Sequence, residues 1–283
     1  GKRSHSFGNQ EKGKDMLRDI TLGQYYPSDS VIHKMDPRVK LFGTIVFIIS
    51  LFLFQKISVY VVATLFLAAV IMISKVPFSF MVKGLKGIFV LMMITVVFNL
   101  FLTPGTTAFA IWKLKVTWEG IRQAAFMAVR LTYLILGSSV LTLTTTPNNL
   151  TDGLEKALSP LKVIKVPVHE ISMMMSIALR FIPILLDETD KIMKAQMARC
   201  ADFESGGLIK KAKSLVPLLV PLFISAFRRA NDLAMAMEAR GYRGGEGRTK
   251  MKPLIYKKRD HIAYVILLTY LVCIIATGNI IAF

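Results

Sequence analysis

The chain has few of the residues that form disulfides, metal sites or phosphate-binding loops. It contains two cysteines, Cys200 in a polar stretch and Cys273 in an apolar run, and this placement predicts no disulfide framework. The four histidines are scattered without metal-ligand spacing. A Gly-rich loop followed by Lys and Ser or Thr is missing, so the sequence predicts no ATP hydrolysis by this chain. We therefore expect no catalytic residue, no cofactor-binding residue and no metal site.

Acidic residues are also scarce. There are 18 Asp and Glu against 36 Lys and Arg, which gives a formal net charge of +18. A basic excess can indicate nucleic-acid binding, but 53% of the residues are hydrophobic, and the charges flank or separate long apolar runs. That arrangement is typical of loops beside membrane spans. The composition therefore predicts a multi-pass membrane protein and no nucleic-acid partner.

Prolines and polar breaks divide the apolar runs into five predicted membrane spans, since a helix needs about 20 residues to cross a bilayer. Residues 1–15 have no apolar period, and we interpret them as a tag or a disordered tail. An N-terminal transmembrane domain is predicted at 16–147, with four spans at about 41–55, 58–74, 87–103 and 124–146. A polar segment at 148–259 follows, and the fifth span is predicted at 260–283.

Basic residues predict the orientation of these spans. Lys and Arg are densest before the first span, after the second, and between the fourth and fifth. In a five-span topology these three regions lie on one face of the membrane, which the positive-inside rule assigns to the cytoplasm. The N-terminus and the segment 148–259 are then cytoplasmic, and the C-terminus is outside.

The cytoplasmic segment is predicted to hold one short and two long amphipathic helices. Apolar residues recur with a helical period over 150–161, over 168–203 and over 208–240. The predicted fold class is therefore all-α: about five transmembrane helices plus a cytoplasmic domain of one short and two long helices. We expect the long helices to reach into the cell as a pair of rods that pack on each other.

The two long helices end in similar residues, Ala198-Arg199-Cys200 and Ala239-Arg240-Gly241. An arginine in a last turn can simply complement the helix dipole, by about 0.3–1 kcal/mol, and Gly241 can be a left-handed cap. Two such ends, each with a small residue beside the arginine, favour a second interpretation. Small neighbours allow close backbone approach, and a guanidinium can bind carboxylates or carbonyls in the groove of a partner protein.

These ends, together with the five spans and the long cytoplasmic helices, resemble the transmembrane T component of energy-coupling-factor (ECF) transporters, a class of ABC transporter in bacterial and archaeal cell membranes. The lead-in Asp29-Ser30-Val31-Ile32-His33-Lys34-Met35-Asp36-Pro37-Arg38-Val39-Lys40-Leu41 is also similar to the start of that family. The resemblance extends from about Met16 to Phe283. Cys200 departs from it, because the family prefers Gly at that position.

The resemblance implies a non-catalytic scaffold for the uptake of vitamins or other micronutrients. Such a scaffold joins two ATP-binding subunits, here expected to be non-identical, to one small membrane subunit that binds the substrate. ATP and Mg²⁺ would be bound by the ATP-binding subunits. The implied docking residues for these subunits are Ala198, Arg199, Cys200, Ala239, Arg240 and Gly241. Those implied for the substrate-binding subunit are Met173, Met174, Met175, Leu215, Leu218, Leu219, Leu222 and Phe223.

A stand-alone channel or secondary carrier is the alternative. It requires a polar pathway within the spans, and only Asn99 and Arg130 are candidates for its lining. Both can also be structural, Asn99 as a hydrogen-bonding residue between helices and Arg130 through a carbonyl partner.

Overall fold

The computed structural model describes residues 25–53, 56–104, 106–111, 114–201, 203, 207–245 and 253–280. Within these ranges the chain forms eight α-helices, one 3₁₀ helix at Ser159–Ile164 and one two-stranded hairpin. The helices are α1 (Pro37–Leu53), α2 (Ile57–Ser74), α3 (Phe78–Leu102), α4 (Trp118–Thr144), α5 (Pro147–Ala157), α6 (Val168–Ala198), α7 (Leu208–Ala239) and α8 (Lys258–Ile280). The all-α prediction is confirmed. The predicted tail at 1–15 lies outside the described residues.

Five helical segments are long and apolar enough to cross a membrane, among the residues described. Four of them correspond to the predicted second to fifth spans: Ile57–Ser74, Gly84–Leu102, Trp118–Thr144 and Lys258–Asn279. The fifth is Val168–Ala198, which the sequence assigned to the cytoplasmic segment. The predicted first span corresponds to α1, which has 17 residues and a length of about 26 Å at 1.5 Å per residue.

Contacts divide the chain into two compact units. One comprises Gly23–Ala157 and Leu254–Phe283, and we call it the membrane unit because four candidate spans lie in it. The other contains Leu158–Pro253, and we call it the hairpin unit after its two long helices. Helix α5, which falls in the segment predicted to be cytoplasmic, packs on α1 and belongs to the membrane unit.

The core of the membrane unit lies where α1, α2, α4 and α8 meet. Phe47 and Leu51 of α1 contribute to one cluster of buried residues with Leu67 of α2 and Ile274 of α8. A polar contact crosses this cluster, since Ser50 Oγ lies 2.7 Å from the Tyr270 hydroxyl. The four helices therefore form one packed body, and apolar residues on their outer faces remain exposed for lipid.

A buried carboxylate fixes the start of α8 beside the start of α1. Asp260 is 1% exposed. It accepts hydrogen bonds from the backbone amides of Asp36 (2.9 Å) and Lys257 (2.8 Å). The end of α4 lies at the same face, because Lys40 Nζ donates to the Thr144 carbonyl at 2.9 Å. These three helix ends share one face of the unit, as a topology of alternating spans requires.

The short hairpin between α3 and α4 was not anticipated. Strands β1 (Thr107–Ile111) and β2 (Leu114–Thr117) pair in antiparallel fashion. Thr117 then serves as the N-cap of α4: its hydroxyl accepts from the Gly120 amide at 3.1 Å and lies 2.9 Å from the Thr103 carbonyl, to which it donates. The hairpin thus holds the end of α3 next to the start of α4.

Candidate functional site: two arginine tips

Helices α6 and α7 of the hairpin unit run antiparallel. Gln196 near the end of α6 donates its side-chain amide to the carbonyl of Pro217 near the start of α7, at 3.3 Å. Further along, Ser225 Oγ donates to Glu188 Oε1 at 2.7 Å, and Arg229 forms an ion pair with Glu188. As the residue numbers fall along α6 they rise along α7, which is the signature of an antiparallel pair.

This arrangement puts the two predicted docking ends at opposite ends of the helix pair. We call Ala198-Arg199-Cys200 the first tip and Ala239-Arg240-Gly241 the second tip. The first tip lies beside the start of α7, and the second tip is at the end of α7. Their separation along α7 is roughly 26 residues, or about 40 Å at 1.5 Å per residue. The two long helices pack on each other as expected, but they form a single antiparallel bar with one arginine at each end.

The two tips have the same backbone conformation. Arg199 has φ −91° and ψ 18°, and Arg240 has φ −89° and ψ 8°. The next residue is left-handed in both, with φ 64° at Cys200 and φ 68° at Gly241. Both ends are thus the type of helix cap in which a left-handed residue reverses the chain.

The hydrogen bonds of the two caps also correspond one to one. In the first tip, the amide of Cys200 donates to the Met197 carbonyl (3.0 Å), and the amide of Ala201 donates to the Gln196 carbonyl (3.0 Å). In the second tip, the amide of Gly241 donates to the Glu238 carbonyl (2.9 Å), and the amide of Tyr242 donates to the Met237 carbonyl (3.0 Å). Cys200 therefore does not change the form of the first cap, although it replaces the glycine that such a cap favours.

Both arginines are exposed and available for a partner. Arg199 and Arg240 lie in exposed positions, as do the small residues beside them, Ala198 and Ala239. Across the described ranges, neither guanidinium has a hydrogen bond or an ion pair with another side chain. Each tip therefore presents an unused fork of N–H donors next to a small side chain, which suits a groove lined by carboxylates or carbonyls.

Five of the eight predicted apolar docking residues are exposed, Met173 and Leu222 are half-buried, and Leu218 is buried. Leu218 is only 8% exposed, so it cannot be part of an open docking surface. It precedes Leu222, Ser225 and Arg229 at helical spacing, on the face of α7 that contacts α6. The exposed members of the predicted set are Met174, Met175, Leu215, Leu219 and Phe223.

The two polar residues considered for a transport pathway have local partners. The side-chain amide of Asn99 donates to the Thr95 carbonyl of its own helix at 2.8 Å, and the predicted hydrogen bond to another helix is not found among the described residues. Arg130 is 5% exposed; its Nε donates to the Tyr60 hydroxyl at 3.1 Å, and its guanidinium lies 5.1 Å from the centre of the Phe52 ring. Arg130 is therefore held between α1, α2 and α4.

Comparison with known proteins supports a single family. The model of the CbiQ family, described as a cobalt transport protein, matches residues 28–251. The energy-coupling factor transporter transmembrane protein EcfT of Clostridium kluyveri is 58% identical over 261 residues, which cover 92% of this chain and 96% of that protein.

Two other relatives have the same name. The EcfT protein of Thermosediminibacter oceani is 52% identical over 249 residues (88% of this chain, 94% of that protein). The EcfT protein of Bacillus subtilis is 49% identical over 246 residues (87% of this chain, 93% of that protein). With matches of this extent and identity, the chain belongs to the CbiQ/EcfT family, the transmembrane proteins of energy-coupling-factor transporters.

Proposed function

We propose that this chain is the coupling scaffold of an ATP-driven importer of vitamins or other micronutrients. In this role it joins two cytoplasmic ATP-binding subunits, through the two arginine tips, to a membrane subunit that binds the substrate. The chain itself is not catalytic, and ATP and Mg²⁺ are bound by the partner subunits. The observation that carries the proposal is the presence of two identically capped, exposed arginines at opposite ends of one helix pair.

The separation of the tips supports two docking sites, one for each ATP-binding subunit. A distance of about 40 Å along the helix pair exceeds the diameter of a small domain, which is about 30 Å, so one small domain would not engage both tips. The different third residues, Cys200 and Gly241, suit two partners that are not identical. ATP-driven movement of those partners would then act on both ends of a stiff bar.

We place this bar at the cytoplasmic surface and not across the bilayer. Although α6 is apolar enough to cross a membrane, α7 is not among the candidate spans. Helix α6 also contains Asp187, Glu188 and Asp190, and charged residues near the centre of a bilayer are costly, by about 2.5–3.5 kcal/mol each or more. A helix pair of this kind is better suited to a membrane surface, with its charges in water.

The substrate-binding subunit would contact the exposed apolar residues of the same pair. Met174 and Met175 on α6, and Leu215, Leu219 and Phe223 on α7, remain exposed in the hairpin unit. Methionine is flexible and polarizable and adapts to more than one apolar partner. The two helices would transmit a movement of the tips directly to a subunit bound on these residues.

Charge reversal at the tips tests the proposal. We expect Arg199→Glu and Arg240→Glu each to weaken co-purification of the ATP-binding subunits from the native membrane by about tenfold or more, since a central arginine at an interface contributes about 2 kcal/mol. The double variant should purify without them and should not support ATP-driven uptake. Arg228→Glu is the matched control, an exposed arginine on α7 between the two tips. Intact complexes with normal uptake in the double variant would refute the proposal.

A further inference from the structure

The membrane unit contains an apolar cavity that no part of the proposed coupling function uses. Its volume is about 310 Å³, and it is lined by α1, α2, α4, α8 and the turn before α1. The lining changes from exposed to buried along its depth: Ile262 at one end is 59% exposed, whereas Phe47 is 3% exposed. The cavity thus opens on the surface of the unit and ends in the core among aromatic and aliphatic side chains.

Four polar residues line this cavity, and three of them have their polar groups satisfied within the protein. Lys40 Nζ donates to the carbonyls of His33 (3.2 Å) and Thr144 (2.9 Å). The hydroxyls of Thr44 and Thr144 donate to carbonyls of their own helices, at 2.9 and 2.7 Å. These groups therefore do not require a ligand.

Arg259 is the exception. It lines the cavity, and its Nε is buried without a hydrogen-bond partner in the part of the chain that the structure describes. A buried N–H of a charged group left without an acceptor is costly, by about 1–3 kcal/mol or more. The neighbouring Lys40 interacts with the buried carboxylates of Asp260 and Asp36 as well as with Arg259, so those carboxylates already have a cation beside them. The opening of the cavity therefore has one cationic N–H group, the Nε of Arg259, that lacks an acceptor.

We propose that the cavity binds an anionic phospholipid, with one acyl chain among the apolar residues and the phosphate group at Arg259. The chain of such a lipid matches the apolar lining, and its phosphate supplies both the missing acceptor and the opposite charge. Basic pockets between transmembrane helices on the cytoplasmic side are suited to anionic headgroups. Arg259 directly precedes the last predicted span, at the face assigned to the cytoplasm, so the lipid would come from that leaflet.

Water and a soluble anion fit the cavity less well. Water in a buried site needs two to four polar partners, whereas the lining of this cavity is almost entirely apolar and its hydroxyl and ammonium groups are bonded within the protein. A free phosphate would satisfy Arg259 but leave the apolar volume empty. A phospholipid would place its phosphate at Arg259 and an acyl chain in the apolar volume. It would thereby contact all four helices that line the cavity.

Lipid binding can be measured by native mass spectrometry of the full chain, delipidated in mild detergent and titrated with phosphatidylglycerol or phosphatidylcholine. We expect one phosphatidylglycerol to be retained at least tenfold more tightly than phosphatidylcholine. Arg259→Gln should remove this preference, and Ala263→Phe, which fills the cavity without a change in charge, should weaken both lipids. Lys258→Gln is the matched control, since Lys258 is an adjacent, exposed cation that does not line the cavity.

Folding and binding are separable in this experiment. Arg259→Gln removes no side-chain hydrogen bond found in the described residues, and circular dichroism with size-exclusion chromatography would verify that each variant is folded. Glycerol phosphate, which has the headgroup chemistry without acyl chains, should not compete. The proposal is overturned if glycerol phosphate competes as well as the lipid does, if phosphatidylcholine binds equally well, or if Arg259→Gln retains the preference of the unmodified chain.

Discussion

The two tips differ by one residue at the position that controls the backbone. Gly241 occupies the left-handed region at little cost, because it has no Cβ. Cys200 occupies the same region with φ 64°, where a side chain is disfavoured by about 1–2 kcal/mol. Both backbone hydrogen bonds of the first cap are formed, and they offset this cost. The first tip is therefore the more strained of two otherwise equal caps.

Substitution of the left-handed residue should change the stability of the chain in opposite directions at the two tips. We expect Cys200→Gly to stabilise the folded chain by about 1 kcal/mol, because it relieves the left-handed strain. Gly241→Ala should destabilise it by a similar amount, since it introduces the same strain at the second tip. Thermal unfolding of the purified chain measures both effects. A lower melting temperature for Cys200→Gly would contradict this explanation of the cap.

At the same scale, the sequence predicted the arginines and their small neighbours, but not the conformation of Cys200. Glycine after a helix indicates a left-handed cap by itself, whereas cysteine in that position does not. The left-handed φ of Cys200 and the hydrogen bond from the Ala201 amide to the Gln196 carbonyl show that the first helix ends in the same way. The burial of Leu218 was also unpredictable, because helical spacing identifies a face but not the helix that covers it.

At the scale of elements, polar contacts accompany the apolar packing of α6 on α7, and one of them is charged. Glu188 accepts a hydrogen bond from Ser225 and forms an ion pair with Arg229. Apolar packing alone permits several registers of two long helices, and a charged pair at one position favours a single one. This register determines where each tip lies, so the contact links helix packing to the proposed docking geometry.

A swap of the two charges tests the importance of this contact. Glu188→Arg and Arg229→Glu should each lower the stability of the chain, by about 1 kcal/mol, because each puts like charges together. The double swap should recover most of the loss, since it restores an ion pair in reverse. Arg228→Glu, at an exposed neighbouring position, is the control and should have little effect. Equal losses in the single variants and the double swap would show that the pair does not set the register.

Membrane helices were predictable from apolar runs, but their first turns were not. Helix α3 begins at Phe78 instead of 87, and α4 begins at Trp118 instead of 124. The additional first turns contain basic residues, Lys86 in α3 and Arg122 in α4. Long basic side chains can extend to the membrane surface while their backbone stays helical, so charge marks the end of the apolar stretch and not the end of the helix.

At the scale of the whole molecule, the sequence predicted the number of spans better than what lies between them. The cavity beside Arg259 is built from four helices and the turn before the first, which are far apart in sequence. Each lining segment looks like ordinary apolar helix when taken alone. The proposed lipid site is recognisable only after the helices have packed, because packing brings Gly43, Gly137 and Arg259 together around one cavity.

Membrane orientation is the property of the whole chain on which the coupling proposal depends most. The positive-inside rule predicts Cys200 on the cytoplasmic side and the loop at Thr106 outside. In cells that express a Cys273→Ser variant, a membrane-impermeant maleimide should label Cys200 only after permeabilisation. A Thr106→Cys variant that also lacks both native cysteines should be labelled in intact cells. Because ATP-binding subunits are in the cytoplasm, labelling of Cys200 from outside would rule out their docking at the first tip, however well its arginine fits a groove.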